Sequence, residues 1–171
     1  MNIYLPFLTR RFLAAQFSTL RMRALSDLFR DMRNGSKSAP EVFPGKSKRL
    51  SPSLKWIGLE NIRVADITGT FEQQTDFDDQ FRPLQKNVRE RWINTYLRFM
   101  KNGWTPILVH KVGNQFFVDD GYHRLSVARF LGIKFITAEV WEYIVETEDA
   151  EPCPDWPCRE KNSVDGYAVK Q

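Results

Sequence analysis

The chain has 171 residues, 42% of them hydrophobic and 13% aromatic, enough apolar material for one packed core, which excludes a wholly disordered protein. Its formal charge of +4 and pI near 9.1 permit contact with nucleotides, nucleic acid or acidic surfaces without demanding it. Two cysteines exclude a disulfide framework, no run approaches the ~18 apolar residues of a membrane span, and the early stretch Tyr4 to Phe17 is broken by Arg10-Arg11, so a cytoplasmic protein is expected.

From Phe7 to about Met32, Leu13, Phe17, Leu20, Ala24 and Leu28 recur at helical spacing among six arginines. This predicts a basic amphipathic helix, within residues 1–35, that ends at Asn34-Gly35. Its apolar stripe suits a partner protein, its arginines suit DNA, and a membrane surface is a third fit. Residues 36–54 mix Ser, Pro, Gly and Lys and read as a flexible basic linker. A globular unit is predicted over 55–145, followed by a Pro-containing tail, 146–171, that carries Cys153 and Cys158.

Within that unit, Ile57 to Ile67 alternates as a strand, and Thr68 to Phe81 reads as an acid-rich loop anchored by Phe71, Phe77 and Phe81. Pro83 suits the start of a helix whose buried face is Val88, Trp92, Tyr96 and Phe99 and whose stop is Asn102-Gly103. Ile107 to Lys111 and Gln115 to Asp119, joined by Gly113-Asn114, predict a β-hairpin. Leu125, Val127, Ala128 and Leu131 follow as a helix ending at Gly132, and Lys134 to Tyr143 as a last strand. The expected class is α/β (α+β): a small mixed sheet, a hairpin and packed helices.

The strand-to-helix turn Asp119-Asp120-Gly121-Tyr122-His123-Arg124 is the best candidate site. A helix start exposes unpaired N–H groups and the positive end of the helix dipole, which suits a phosphate. The plain alternative is an ordinary turn in which Asp120 caps the helix and Arg124 is a surface charge. Asp119 and Asp120 are candidates for a base, and Asp120 for a magnesium ligand, although alternate strand residues face opposite sides. Asp78, in the Phe-rich loop with Asp76 and Asp79, is a third catalytic candidate on a lid. Arg89 and Arg91 read as surface or ion-pairing residues, His110 receives no role, and Trp92, Trp104 and Trp141 read as packing residues.

The order of strand, helix ending in Asn-Gly, Pro106-Ile107-x-Val109, hairpin, Asp120-Gly121-x-His123-Arg124, Val127-Ala128-Arg129-x-Leu131-Gly132 and final strand resembles the ParB/sulfiredoxin superfamily, over roughly Ile57 to Tyr143. The resemblance implies a pocket for a nucleotide such as CTP, ATP or ADP, with magnesium as its accompanying ion. In it Gly121 gives backbone access, Tyr122 and His123 present helix amides, and His123 and Arg124 contact phosphate oxygens. Tyr122 stands where sulfiredoxins carry a catalytic Cys, which argues against sulfinic acid repair, and no DNA-reading domain is expected after Tyr143. A switch, kinase or phosphohydrolase is therefore the first expectation. A non-enzymatic DNA-associated or partner-binding module is the second, and a ParB-like nuclease the third.

Overall fold

The computed structural model describes residues 4–35, 39–43 and 50–145. Cys153 and Cys158, the tail 146–171 and parts of the expected linker lie outside them. Ten elements follow in order: α1 (Tyr4–Asn34), β1 (Glu41–Val42), β2 (Leu50–Arg63), a 3-10 turn (Val64–Asp66), β3 (Ile67–Thr70), α2 (Arg89–Asn102), β4 (Ile107–Val112), β5 (Gln115–Asp120), α3 (Tyr122–Phe130) and β6 (Phe135–Val145). The strands form one mixed sheet in the order β1-β3-β5-β4-β6-β2, so the chain is an α/β protein, as its patterning predicts. Among the described residues, no helix is long and apolar enough to cross a membrane.

The hairpin β4–β5 forms where Gly113-Asn114 predicts it, with Val109 opposite Val118. One sheet face presents Ile107, Val109, Val118, Ala138 and Val140 to Leu125 and Ala128 of α3. The opposite face of α3 points Val127 at Trp92 of α2 and at Leu13 and Phe17 of α1. Helix α3 is thus sandwiched, and its start is held between the sheet and α2. Trp92 is fully buried, and its indole N–H donates to Ser126 Oγ at 3.0 Å, joining α2 to α3.

Four expectations are corrected. The segment expected as a linker contributes β1 and the first part of β2: β1 pairs in parallel with β3, and Phe43 packs on the rings of Phe71, Phe117 and Tyr143. One aromatic anchor holds a strand too short for its own pattern to reveal. Residues Ile67–Thr70 form β3 inside the expected loop. Helix α2 begins at Arg89 rather than near Pro83, because Pro83 bridges Phe77 and Leu84 N–H donates to Asp76 O at 2.8 Å. The apolar stripe of α1 is covered by this chain's own α2, with Leu13, Phe17 and Ala24 buried. Polar contacts pin the same helix: Arg10 to Asn94 Oδ1 at 2.6 Å, Arg21 Nε to Leu84 O at 2.7 Å and Asp27 to Arg82 at 2.7 Å.

Candidate functional site

Strand β5 delivers the chain to Gly121, which sits at φ 113° as the N-terminal boundary of α3. A Cβ there would come within 2.5 Å of Ile107 Cγ2. Both the positive φ and the close approach therefore require glycine, and the close approach is to the sheet. No side chain caps α3. Asp120, the expected cap, instead binds Arg124 Nη2 at 2.5 Å.

The start of α3 opens on a cleft of about 860 Å³. Residues 120–124 form one wall and the 74–77 region a second. The third is α2 with the turn after it, carrying Arg91, Thr95, Arg98, Asn102, Trp104 and Thr105. Five of the seven expected site residues, Asp120, Gly121, Tyr122, His123 and Arg124, thus line one cavity. Asp119 and Asp78 do not line it.

The charge of the cleft comes from an unexpected source. Arg124 donates through Nη1 to Thr105 O and Oγ1, both at 2.9 Å, and to Pro106 O at 2.5 Å, while Nη2 is held by Asp120. It is a clamp between α3 and the turn before β4. His123 is largely buried against Phe77, with ring centroids 5.3 Å apart, and its Nε2 is buried without a hydrogen-bond partner. Burial, reinforced by the positive charge of Arg91, pushes its pKa down to about 4 against a weaker opposing pull from Asp120, so the ring is neutral at pH 7. Arg91 and Arg98 supply the charge instead, and neither has an ionic partner among the described residues. From the sequence Arg91 carries only a surface or ion-pairing role and Arg98 none, yet both line the cleft. Their signal was the stripe Arg91, Thr95, Arg98, Asn102, spaced four, three and four residues beside the apolar stripe of α2.

Tyr122 packs against the core, and burial pushes its hydroxyl up to about 12 despite a hydrogen bond from Gln74. It is a neutral group at the cleft floor. Asp119 and Asp120 project from opposite faces of β5: the Asp119 carboxylate lies 3.3 Å from His110 Nε2, far from a geometry in which both could hold one ion. His110 stacks on Phe71 at 4.0 Å and closes the other sheet face.

Asp78 is fully buried. It accepts from Arg82 Nε at 2.7 Å and from the Gln80 and Arg82 amides at 3.1 and 2.7 Å. Burial still raises its carboxyl above the usual range. These bonds tie down a loop in which Phe81, at φ 57°, adopts the left-handed conformation beneath the Arg129 guanidinium. Asp78 is committed to the loop and, through the shared Arg82, to Asp27 of α1.

Among the described residues, no three His, Cys, Asp or Glu side chains converge on a metal site. Asp76 and Asp120 line the cleft, the latter already sharing its carboxylate with Arg124, a donor set that fits magnesium accompanying phosphate oxygens better than an ion held by protein alone. No protein-family model matches the chain, and no curated protein matches it.

Proposed function

We propose that the cleft at the start of α3 binds the phosphates of a nucleotide, as the resemblance to the ParB/sulfiredoxin superfamily implies. The observation that carries this reading is the convergence of an uncapped helix N-terminus with Arg91 and Arg98 on one cavity. The two arginines are seven residues apart on one helix, about 10 Å along its axis, a span over which a di- or triphosphate can be gripped at more than one point. Backbone N–H groups of residues 122–124 take one phosphate and the guanidinia take the others; magnesium, if it accompanies the phosphates, would be held by Asp76 and by the Asp120 oxygen that Arg124 leaves free, and would offset phosphate charge. Trp104, stacked on Phe99 at 3.9 Å, gives the rim an aromatic plane for the base. A cytoplasmic setting suits such a ligand.

The chemistry follows from what is free to react. Asp78 and Asp119 are engaged elsewhere, which favours a nucleotide-responsive binding domain over a phosphohydrolase or nuclease. Calorimetric titration of the full chain with CTP, ATP, ADP and GTP, with and without magnesium, tests this. Binding of at least one nucleotide, weakened by loss of Arg91 or Arg98, is expected; no heat with any of them in folded protein removes the reading.

A second reading keeps the DNA-associated role of α1. With its apolar stripe buried, the helix still turns Arg23 and Arg33 to solvent beside exposed Met22, Phe29 and Met32. Salt-sensitive DNA binding that falls when Arg23 and Arg33 become Glu, with nucleotide affinity unchanged, supports a separate surface for it.

A further inference from the structure

We propose that the free edge of β2 pairs, antiparallel, with the same edge of a second copy of this chain, about a two-fold axis at Ile57-Gly58. β2 ends the sheet: β6 covers one side, and no described strand covers the other. A long open edge of unpaired N–H and C=O groups is a template for strand addition. Three of the large apolar side chains left in solvent, Leu54, Trp56 and Leu59, lie on this strand at 40%, 57% and 64% exposure.

The pattern around the bulge makes the edge self-complementary. The register with β6 shifts between Trp56 and Gly58, and Gly58 has φ 121° with nothing within 4 Å of where a Cβ would stand. A regular strand would put positions three or five apart on opposite faces. The extra residue reverses that. Trp56 and Leu59 lie opposite Trp141 and Glu139 on one face, and Lys55 and Glu60 opposite Glu142 and Ala138 on the other. A two-fold through the bulge therefore brings Trp56 of each copy beside the partner's Leu59 on one face. On the other face it brings Lys55 beside the partner's Glu60.

The charges are available for this. Glu142, the neighbour of Lys55 within the sheet, is already held by Lys111 at 2.8 Å. Neither Lys55 nor Glu60 has an ionic partner among the described residues. Each interface therefore gains two opposite-charge pairs and two apolar cross-strand pairs. A lone Lys on an edge strand also serves to block pairing, and this alternative makes the opposite prediction for its removal.

The test is sedimentation of the full chain over a concentration series, as wild type, Lys55→Glu and Glu60→Lys, alone and mixed. Wild type is expected to approach twice its 20.1 kDa monomer mass. Each single reversal replaces two attractive pairs by two repulsive ones and should raise the dimer Kd by about tenfold or more. An equimolar mixture of the two variants restores opposite charges at both positions and should recover wild-type association, a result that misfolded variants cannot give. The proposal is overturned by a wild-type monomer at every concentration, which would leave the edge to another occupant. It is equally overturned by single variants that dimerise as wild type, by stronger association of Lys55→Glu, or by a mixture that stays monomeric.

Discussion

Arg124 and Asp120, four residues apart across the start of α3, are joined at 2.5 Å through Nη2, and Nη1 of the same guanidinium donates to the Thr105 and Pro106 carbonyls. The Arg124 side chain is largely buried while Asp120 is exposed, so removing Arg124 strands the Thr105 and Pro106 carbonyls and leaves Asp120 to water. Arg124→Ala should cost about 1–2 kcal/mol of stability, nearly all of it from the carbonyl contacts because the ion pair is screened by water. Arg124→Lys should recover only part of it, because an ammonium cannot reproduce the fork. Urea unfolding followed by tryptophan fluorescence measures both; an Arg124→Ala protein as stable as wild type would show that the clamp carries no load.

Arg91 and Arg98 should behave in the reverse way. Each is a cleft-lining cation without an ionic partner among the described residues, so its loss leaves no acceptor stranded. Substitution by Ala should leave the unfolding midpoint nearly unchanged and weaken nucleotide affinity by about tenfold per site, the value of one charge-assisted contact. Calorimetry on both single variants and the double variant checks this. Wild-type affinity in all three would remove the arginines from the site and transfer the phosphates to the α3 amides alone.

This division between Arg124 and the α2 arginines was not legible in the sequence, and the reason is physical. Patterns of period two and 3.6 report which face of an element is buried, and they placed the hairpin, the core of α2 and the start of α3 correctly. They say nothing of what a long polar side chain reaches. The cleft joins residues 74–77, 91–105 and 120–124, and the partners of Arg82, Asp78 and Asp27, lie four and 55 residues away. Strand β1, only two residues long, had no periodicity to read.

Helix α1 gives a prediction that separates a docking arm from a structural helix. Leu13 and Phe17 are buried against α2, and Phe17 meets the Trp92 ring edge-on at 5.8 Å. Phe17→Ala should cost about 3–5 kcal/mol, as for other buried aromatic truncations. Deletion of residues 1–35 should lower the unfolding transition of what remains or abolish it. A deleted chain that unfolds cooperatively at the wild-type midpoint would make the helix an appendage.

His123 links the site to pH. Its folded-state pKa of about 4 lies below the ordinary 6.5, so between these values the unfolded chain binds a proton that the folded ring refuses. Stability from this group is complete above about pH 6.5 and is lost as pH falls toward 4. From pH 7 to 5 the shift sets a ceiling of about 2 kcal/mol, and partial solvent access reduces it to about 1 kcal/mol. Asp78, with a raised carboxyl, contributes in the opposite direction, so the informative quantity is the difference between wild type and His123→Gln at each pH. Urea titrations at pH 7 and pH 5 should show the variant losing about 1 kcal/mol less than wild type on acidification. Identical losses would mean that the ring is already solvated in the folded protein, and a cleft so hydrated would hold phosphate far more weakly than its arginines imply.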